Sequence, residues 1–402
     1  MQSNVCMKNQ RFSTMLLLGY GGFGNFGDDI ILLSLLKCID ASVAVNVKCF
    51  IYLRGGYLNI ELSRMSLSRT HISVVNSMIG VFYAFLCSSL IMVYGGDHIH
   101  DYGKLVKRIK IFVLFTLLAL CSRLLFKRIV IVNTGVRISS HLGASLTKLC
   151  LSLFNKISVR DVNSYYSLLK IGIRNVILGF DTAVLYYPFI ARPSSRSNSS
   201  TSLAIGVSLT PAFKLYFSKP NLDSMLVQSF SHMLEDIIEG LKRIKSEVHI
   251  SLLCLNFDKI AGDFSLLTEM IKNIRPQFRR NVHLLIYNGS VSKFLEAFSA
   301  MNVIIGCKYH SILLSYMMMK PTVVLSYHPK NKALATEIGI PQKFVFSLDD
   351  FATNNLRWKA CKKMLFALDK LLSSCRETHF TLPLSVAVKR SLRGVVYCLN
   401  LR

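Results

Sequence analysis

Leu16 to Lys37 reads LLLGYGGFGNFGDDIILLSLLK, and this stretch decides the fold. An apolar run breaks into a glycine-rich loop, meets the acidic pair Asp28 and Asp29, and resumes with helical character. That is the outline of a strand, a tight turn and a helix, the unit from which parallel α/β sheets are built. The loop contains neither the lysine of a P-loop nor a regular GxGxxG. Its two acids suit the positive end of a helix dipole and would repel a phosphate. The loop therefore reads as a strand-to-helix turn that shapes a cleft or meets sugar hydroxyls, and not as a pyrophosphate cradle.

The same alternation continues outward from this unit. Strand-like runs occur in VNVKCFIYL, SSLIMVYGGD, RIVIVNTGV and NKISVRD, and a helix is expected from Asp161 to about Gly172. Ala191 to Ser202, ARPSSRSNSSTS, is small, polar and proline-bearing, as linkers are. After it come LAIGVSLT, a long amphipathic helix, EVHISLLCLN, VHLLIYNG, NVIIGCKYH and PTVVLSYHP. Apolar runs without alternation, separated by helices, predict parallel sheets covered on both faces. The expected organisation is an amino-terminal domain over 12–190, a linker over 191–202 and a second domain over 203–375. The tail is helical to about Cys375, and 376–402 is left unassigned. The fold class is α/β, with two Rossmann-like domains and an interdomain cleft.

With 402 residues, 51 % of them hydrophobic and 17 % charged, the chain has ample material for two cores. A formal charge of +26 favours an anionic partner: a phosphorylated substrate or the acidic face of a membrane. The basic residues are dispersed, without a basic block interleaved with aromatics, which argues against nucleic acid. Eleven cysteines show neither CxxC nor zinc-finger spacing, so buried free thiols in a reducing cytosol are expected, and no metal. The amino terminus does not read as a signal peptide. Lys104 to Arg128, KLVKRIKIFVLFTLLALCSRLLFKR, has an uninterrupted apolar core only from Ile111 to Cys121, short of the ~20 residues that span a bilayer. It reads first as a helix buried on all sides, and otherwise as one lying on an anionic membrane surface.

Strands of a doubly wound sheet present ligands beyond their carboxyl ends. The breaks there include Gly95-Gly96-Asp97, Thr134-Gly135, Ser158-Val159-Arg160, Ser208-Leu209-Thr210, Gly306-Cys307-Lys308-Tyr309-His310 and Ser326-Tyr327-His328-Pro329-Lys330. Together they supply backbone N–H groups, cations and a histidine, which suits a phosphate or carboxylate. Arg160 reads equally as the partner of a helix-capping Asp161 or as a ligand. His310 at a helix start is an ordinary polar residue or, beside Lys308, a proton donor at an anion site.

The order GYGGFGNFGDDIIL, VYGGD, ISVRDVNSYYSLLKIGI, IGVSL and VIIGCKYHSILLSYMMMKPTVVLSYHPKNKALATEIGI resembles the polysaccharide pyruvyl transferase family, from Leu16 to Gly339. The resemblance implies two Rossmann-like domains in a glycosyltransferase-B-like arrangement. It also implies transfer of the pyruvyl unit of phosphoenolpyruvate to a sugar of a surface polysaccharide or lipid-linked glycan, as a ketal. The amino-terminal domain would serve the acceptor and the second domain the donor. Arg160, in the SVRD segment, and Lys308 and Lys330 are implied as cations for the donor, with His310 as acid/base. Asn25, Gly27 and Asp28 match the first glycine loop, and Gly95 and Gly96 the second. Phosphoenolpyruvate would be a substrate, with no cofactor. The protein would be cytoplasmic, with peripheral contact to the inner face of the membrane. Two positions depart from the pattern: Lys308 stands where members usually have arginine, and His328 where they often have aspartate. Rival readings are a nucleotide-sugar glycosyltransferase of the same fold and an inactive binding member of a polysaccharide assembly complex.

Overall fold

The computed structural model describes residues 13–53, 58–101, 105–190, 202–217, 219–242, 247–258, 262–352, 357–373 and 380–400. Seven strands of the amino-terminal half form one sheet: β1 (Thr14–Leu18), β2 (Val47–Tyr52), β3 (Thr70–Val75), β4 (Leu90–Tyr94), β5 (Arg128–Thr134), β6 (Lys156–Val159) and β7 (Val176–Leu178). Every pairing is parallel, in the order β3-β2-β1-β4-β5-β6-β7. The order reverses between β1 and β4, so the glycine loops that follow these two strands open side by side at the switch point. Met15, Leu16, Leu17, Ile91 and Met92 are fully buried, which explains why β1 and β4 are apolar without alternation.

Six strands form a second all-parallel sheet: β8 (Ser202–Ser208), β9 (Glu247–Cys254), β10 (Val282–Ile286), β11 (Val303–Gly306), β12 (Thr322–Ser326) and β13 (Val345–Ser347). Their order is β10-β9-β8-β11-β12-β13, with the reversal between β8 and β11. The helices used below are α1 (Phe26–Ser42), α2 (Met78–Cys87), α3 (Leu105–Leu124), α4 (Val162–Lys170), α5 (Pro220–Lys242), α6 (Phe264–Asn273), α7 (Tyr309–Met317), α8 (Pro329–Ile338), α9 (Arg357–Ser373) and α10 (Leu384–Leu399). The chain divides into two compact units. Unit 1 takes the described residues of Met1–Phe23, Gly27–Pro188 and Ser385–Arg402; unit 2 takes Gly24–Phe26 and those of Phe189–Leu384.

The tail left unassigned in the sequence thus contains α10, which packs on unit 1. Asn133 Nδ2 donates to the Ser391 carbonyl at 3.0 Å, and Arg390 Nε to the Gly179 carbonyl at 3.1 Å. Gly394 permits this approach, since a Cβ there would run into Asn133 and Ser158. Nearly all of the linker, 191–201, lies outside the described residues.

Two expectations need correction. α3 is not buried all round: Phe112 and Ala119 face the core, while Leu114, Leu117 and Leu124 are exposed. The described cysteines are free, but Cys87 and Cys121 are exposed and Cys361 half-buried; the other six are buried.

Candidate functional site

In unit 1 the carboxyl ends of β4, β5 and β6 are laced together around Arg160. Its guanidinium is 2.7 Å from Asp97 Oδ1 and 3.0 Å from Asp181 Oδ2, and the side chain is 2 % exposed. The Arg160 N–H donates to the Thr134 carbonyl. Thr134 Oγ1 donates to the carbonyls of Gly95 and Gly96, at 3.0 and 2.9 Å, and the Gly135 N–H to Gly96. Gly95 and Gly96 have φ of 76° and 53°, the left-handed region where a side chain is strained. One buried ion cluster thus fixes the glycine turn that the sequence singled out.

Asp161 is not the partner of Arg160. Its carboxylate caps α4 by accepting from the Ser164 N–H at 2.9 Å, and it pairs with Arg137 at 2.8 Å. Arg160 itself lies below the surface, already engaged by two carboxylates. As a direct donor ligand it would have to exchange those partners.

The first glycine loop adjoins this cluster within unit 1. Gly22 N–H donates to Asp29 Oδ1 at 2.5 Å, so the second acid of the pair is fully buried and braces the loop. Tyr20 stacks on His98, their ring centroids 5.0 Å apart. His98 Nε2 donates to the Tyr94 carbonyl at 2.7 Å, and burial pushes its pKa below the usual value, keeping the ring neutral. Gly27 and Asp28 lie in the first turn of α1, with Asp28 half-buried near Gly96. Asn25 belongs to unit 2, where it bridges Asn256, and the following Phe26 packs against Tyr287 and Phe294.

In unit 2 the ends of β8, β11 and β12 converge. Ser208, closing β8, accepts at Oγ from the Cys307 N–H at 3.0 Å and meets Ser311 Oγ at 2.7 Å. This pins the turn that leads into α7. Lys308 occupies the cap position of that helix and gives its first turn no side-chain hydrogen bond. Its Nζ lies 2.7 Å from Oδ2 of the fully buried Asp263. Burial raises the Asp263 pKa, and Lys308 partly offsets the rise. His310 is half-buried in the first turn of α7, its ring 5.3 Å from that of Tyr309. The positive end of a helix dipole, a lysine and an imidazole therefore share one corner, a setting that favours anions.

His328 caps α8: its Nδ1 accepts from the Lys330 N–H at 3.3 Å, which requires that nitrogen unprotonated. Histidine thus fills the structural role an aspartate would have at this position. Buried Asn331 donates to the carbonyl of Cys307, tying α8 to the start of α7. Tyr216 packs against Tyr327 and His328 at 5.2 and 5.8 Å, and burial holds the Tyr327 hydroxyl well above its usual pKa. Separately, a cavity of about 610 Å³ opens beside Ser326 and is lined by Lys332, Lys343, Lys359 and Lys363 among others. Among the described residues, no three His, Cys, Asp or Glu side chains gather as metal ligands do.

Asp181 and Asp263 were invisible as site residues in the sequence. Asp263 directly precedes α6. In the structure it makes no cap bond and instead turns to the Asn256 N–H and Lys308.

The fold, two Rossmann-like domains, is shared with several solved structures. A UDP-GlcNAc 2-epimerase from Neisseria meningitidis, solved bound to UDP-GlcNAc, is similar with a TM-score of 0.56 at 12 % identity, covering 96 % of this chain and 99 % of that one. The epimerase from Methanocaldococcus jannaschii gives 0.56 at 12 %, over 96 % and 98 %. A glycosyltransferase from Rickettsia africae gives 0.52 at 11 %, over 97 % and 96 %. No curated protein sequence matches. The family profile of polysaccharide pyruvyl transferase matches residues 25–329, and the chain belongs to that family.

Proposed function

We propose that this protein transfers the pyruvyl unit of phosphoenolpyruvate to two hydroxyls of a sugar on a surface polysaccharide or lipid-linked glycan, forming a cyclic ketal and releasing phosphate. Family membership over residues 25–329 carries the reading. The chemistry needs a proton delivered to the methylene carbon of the donor, which makes the adjacent carbon electrophilic. One sugar hydroxyl adds to that carbon and loses its proton. Phosphate then leaves with the electrons of its C–O bond, and the second hydroxyl closes the ketal, losing its own proton.

His310 is our candidate for moving these protons. Lys330 and the start of α7 suit the donor's charge. Lys308, neutralised by Asp263, would set the position of His310 rather than grip the donor alone. Arg160 is assigned to donor binding through the Gly95–Gly96 turn that its ion cluster holds. Asn25, Gly27 and Asp28 are assigned to acceptor hydroxyls.

The test is phosphate release from purified protein. Release should require both phosphoenolpyruvate and a suitable glycan, and none across a broad acceptor panel would count heavily against the reading. His310→Ala should abolish turnover while calorimetry still detects donor binding. A nucleotide-sugar reaction is the second reading, motivated by fold likeness to an enzyme solved with UDP-GlcNAc. Stabilisation by UDP but not by phosphoenolpyruvate would favour it.

A further inference from the structure

The outer faces of two neighbouring helices of unit 1 are apolar. α2 and α3 pack on the same side of the first sheet, burying Ala84 and Phe85 from one helix and Phe112 and Ala119 from the other in a shared core. With their inner faces satisfied, globular helices turn polar residues outward. These do the opposite. On α2, Met78, Ile79, Phe82, Tyr83 and Leu86 are 48–84 % exposed, at the spacing of one helical stripe. On α3, Val113, Leu114, Leu117, Leu120 and Leu124 form a second exposed stripe.

Phe126 carries the argument furthest. α3 ends in a left-handed turn, with the Lys127 N–H donating to the Ser122 carbonyl at 2.7 Å and Phe126 at φ 54°. Glycine is the usual residue there because a side chain is strained. This chain places a phenylalanine in that turn and leaves it 97 % exposed. Lys127 Nζ donates to the carbonyls of Leu86 and Ser88, so the carboxyl ends of both helices meet beside that ring.

The exposed charges on α2 and α3 have one sign among the described side chains. Lys110 and Arg123 are exposed on α3. The only acidic residues between Leu62 and Arg160 are Asp97 and Asp101, one turned inward onto Arg160 and the other buried. Among the described residues no helix is long and apolar enough to cross a membrane. An apolar surface rimmed by cations is what an amphipathic helix offers to a bilayer in its plane.

We propose that the α2–α3 face of unit 1 is a docking surface for an anionic lipid bilayer, with Phe126 inserted at the interface. The proposal is independent of the transfer chemistry and can fail without it.

Sedimentation of the full chain with vesicles of phosphatidylglycerol and phosphatidylcholine tests it, against vesicles of phosphatidylcholine alone. Binding should be stronger to the anionic vesicles and should weaken at ~0.5 M NaCl. Phe126→Gly should cut vesicle partition about tenfold while thermal stability holds or rises, since glycine removes the strain and the inserted ring together. A purely structural phenylalanine would give the reverse. Leu117→Glu should cut partition by at least about tenfold with unchanged circular dichroism. Equal partition of the variants and the parent overturns the proposal. So does concentration-dependent self-association abolished by the same substitutions, because a second copy would then be the occupant.

Discussion

Replacing Lys308 with methionine isolates the buried pair at the start of α7. The ammonium lies 2.7 Å from Asp263 Oδ2, with side-chain exposures of 15 % and 0 %. At an effective dielectric of about 20, attraction at that distance is roughly 6 kcal/mol, and desolvation of both ions offsets much of it. Methionine keeps most of the side-chain volume but strands the carboxylate, so the expected loss is about 3–5 kcal/mol near pH 7. In a unit of this size that corresponds to roughly 6–20 °C in Tm. The pH dependence has a definite sign. The folded pKa of Asp263 is raised above its ordinary 3.8, so the native state holds this proton more tightly than the unfolded chain. Stability from this group is therefore complete at low pH and falls as pH rises through the folded pKa. Without Lys308 the folded pKa rises further, so the deficit of the variant should shrink on acidification, when Asp263 is protonated and needs no counter-ion. Calorimetric unfolding at pH 4.5 and 7 measures this, with Asp263→Asn as the second arm of a double-mutant cycle. Asparagine retains an oxygen for the Asn256 N–H, so the double variant should recover most of the loss. A deficit below about 1 kcal/mol at pH 7, or one that grows on acidification, would refute the ion-pair account.

Arg160→Ala should lower Tm as well as donor affinity, because it leaves Asp97 and Asp181 facing each other beneath the glycine turn, a loss of about 3–5 kcal/mol. Calorimetric unfolding checks this, and weakened donor binding with an unchanged Tm would show that the cluster holds nothing. His328→Ala should cost about 1 kcal/mol through loss of the α8 cap, whereas His328→Asp should match or exceed the parent in a thermal melt. A tolerated alanine would remove the capping role.

The central strands were legible in the sequence because burial on both faces leaves a mark: LLL before the first glycine loop and VIIG before Cys307 are continuous apolar runs. Of the four edge strands, β10 was read from VHLLIYNG, but β3, β7 and β13 were not. Thr70–Val75 and Val345–Ser347 are partly exposed and mixed in polarity, and Val176–Leu178 is only three residues long. The site divided along the same line. Glycines after β1 and β4, Arg160 and His310 were singled out in the sequence because strand ends in a parallel sheet collect function. Asp181 and Asp263 were missed because a buried counter-ion is defined by what it faces across the sheet, which spacing does not encode.

By itself the sequence determined the alternation of apolar strands and helices, the glycine turns and the family, since local periodicity and motif order survive without coordinates. Tertiary structure decided which charges neutralise which. Arg160 turned from Asp161 to Asp97 and Asp181, and Lys308 to Asp263, because pairing of buried charges depends on distance through space. It also decided that α3 is buried on one side only. An apolar helix reads alike whether its outer face meets protein or not, and only packing tells the two apart.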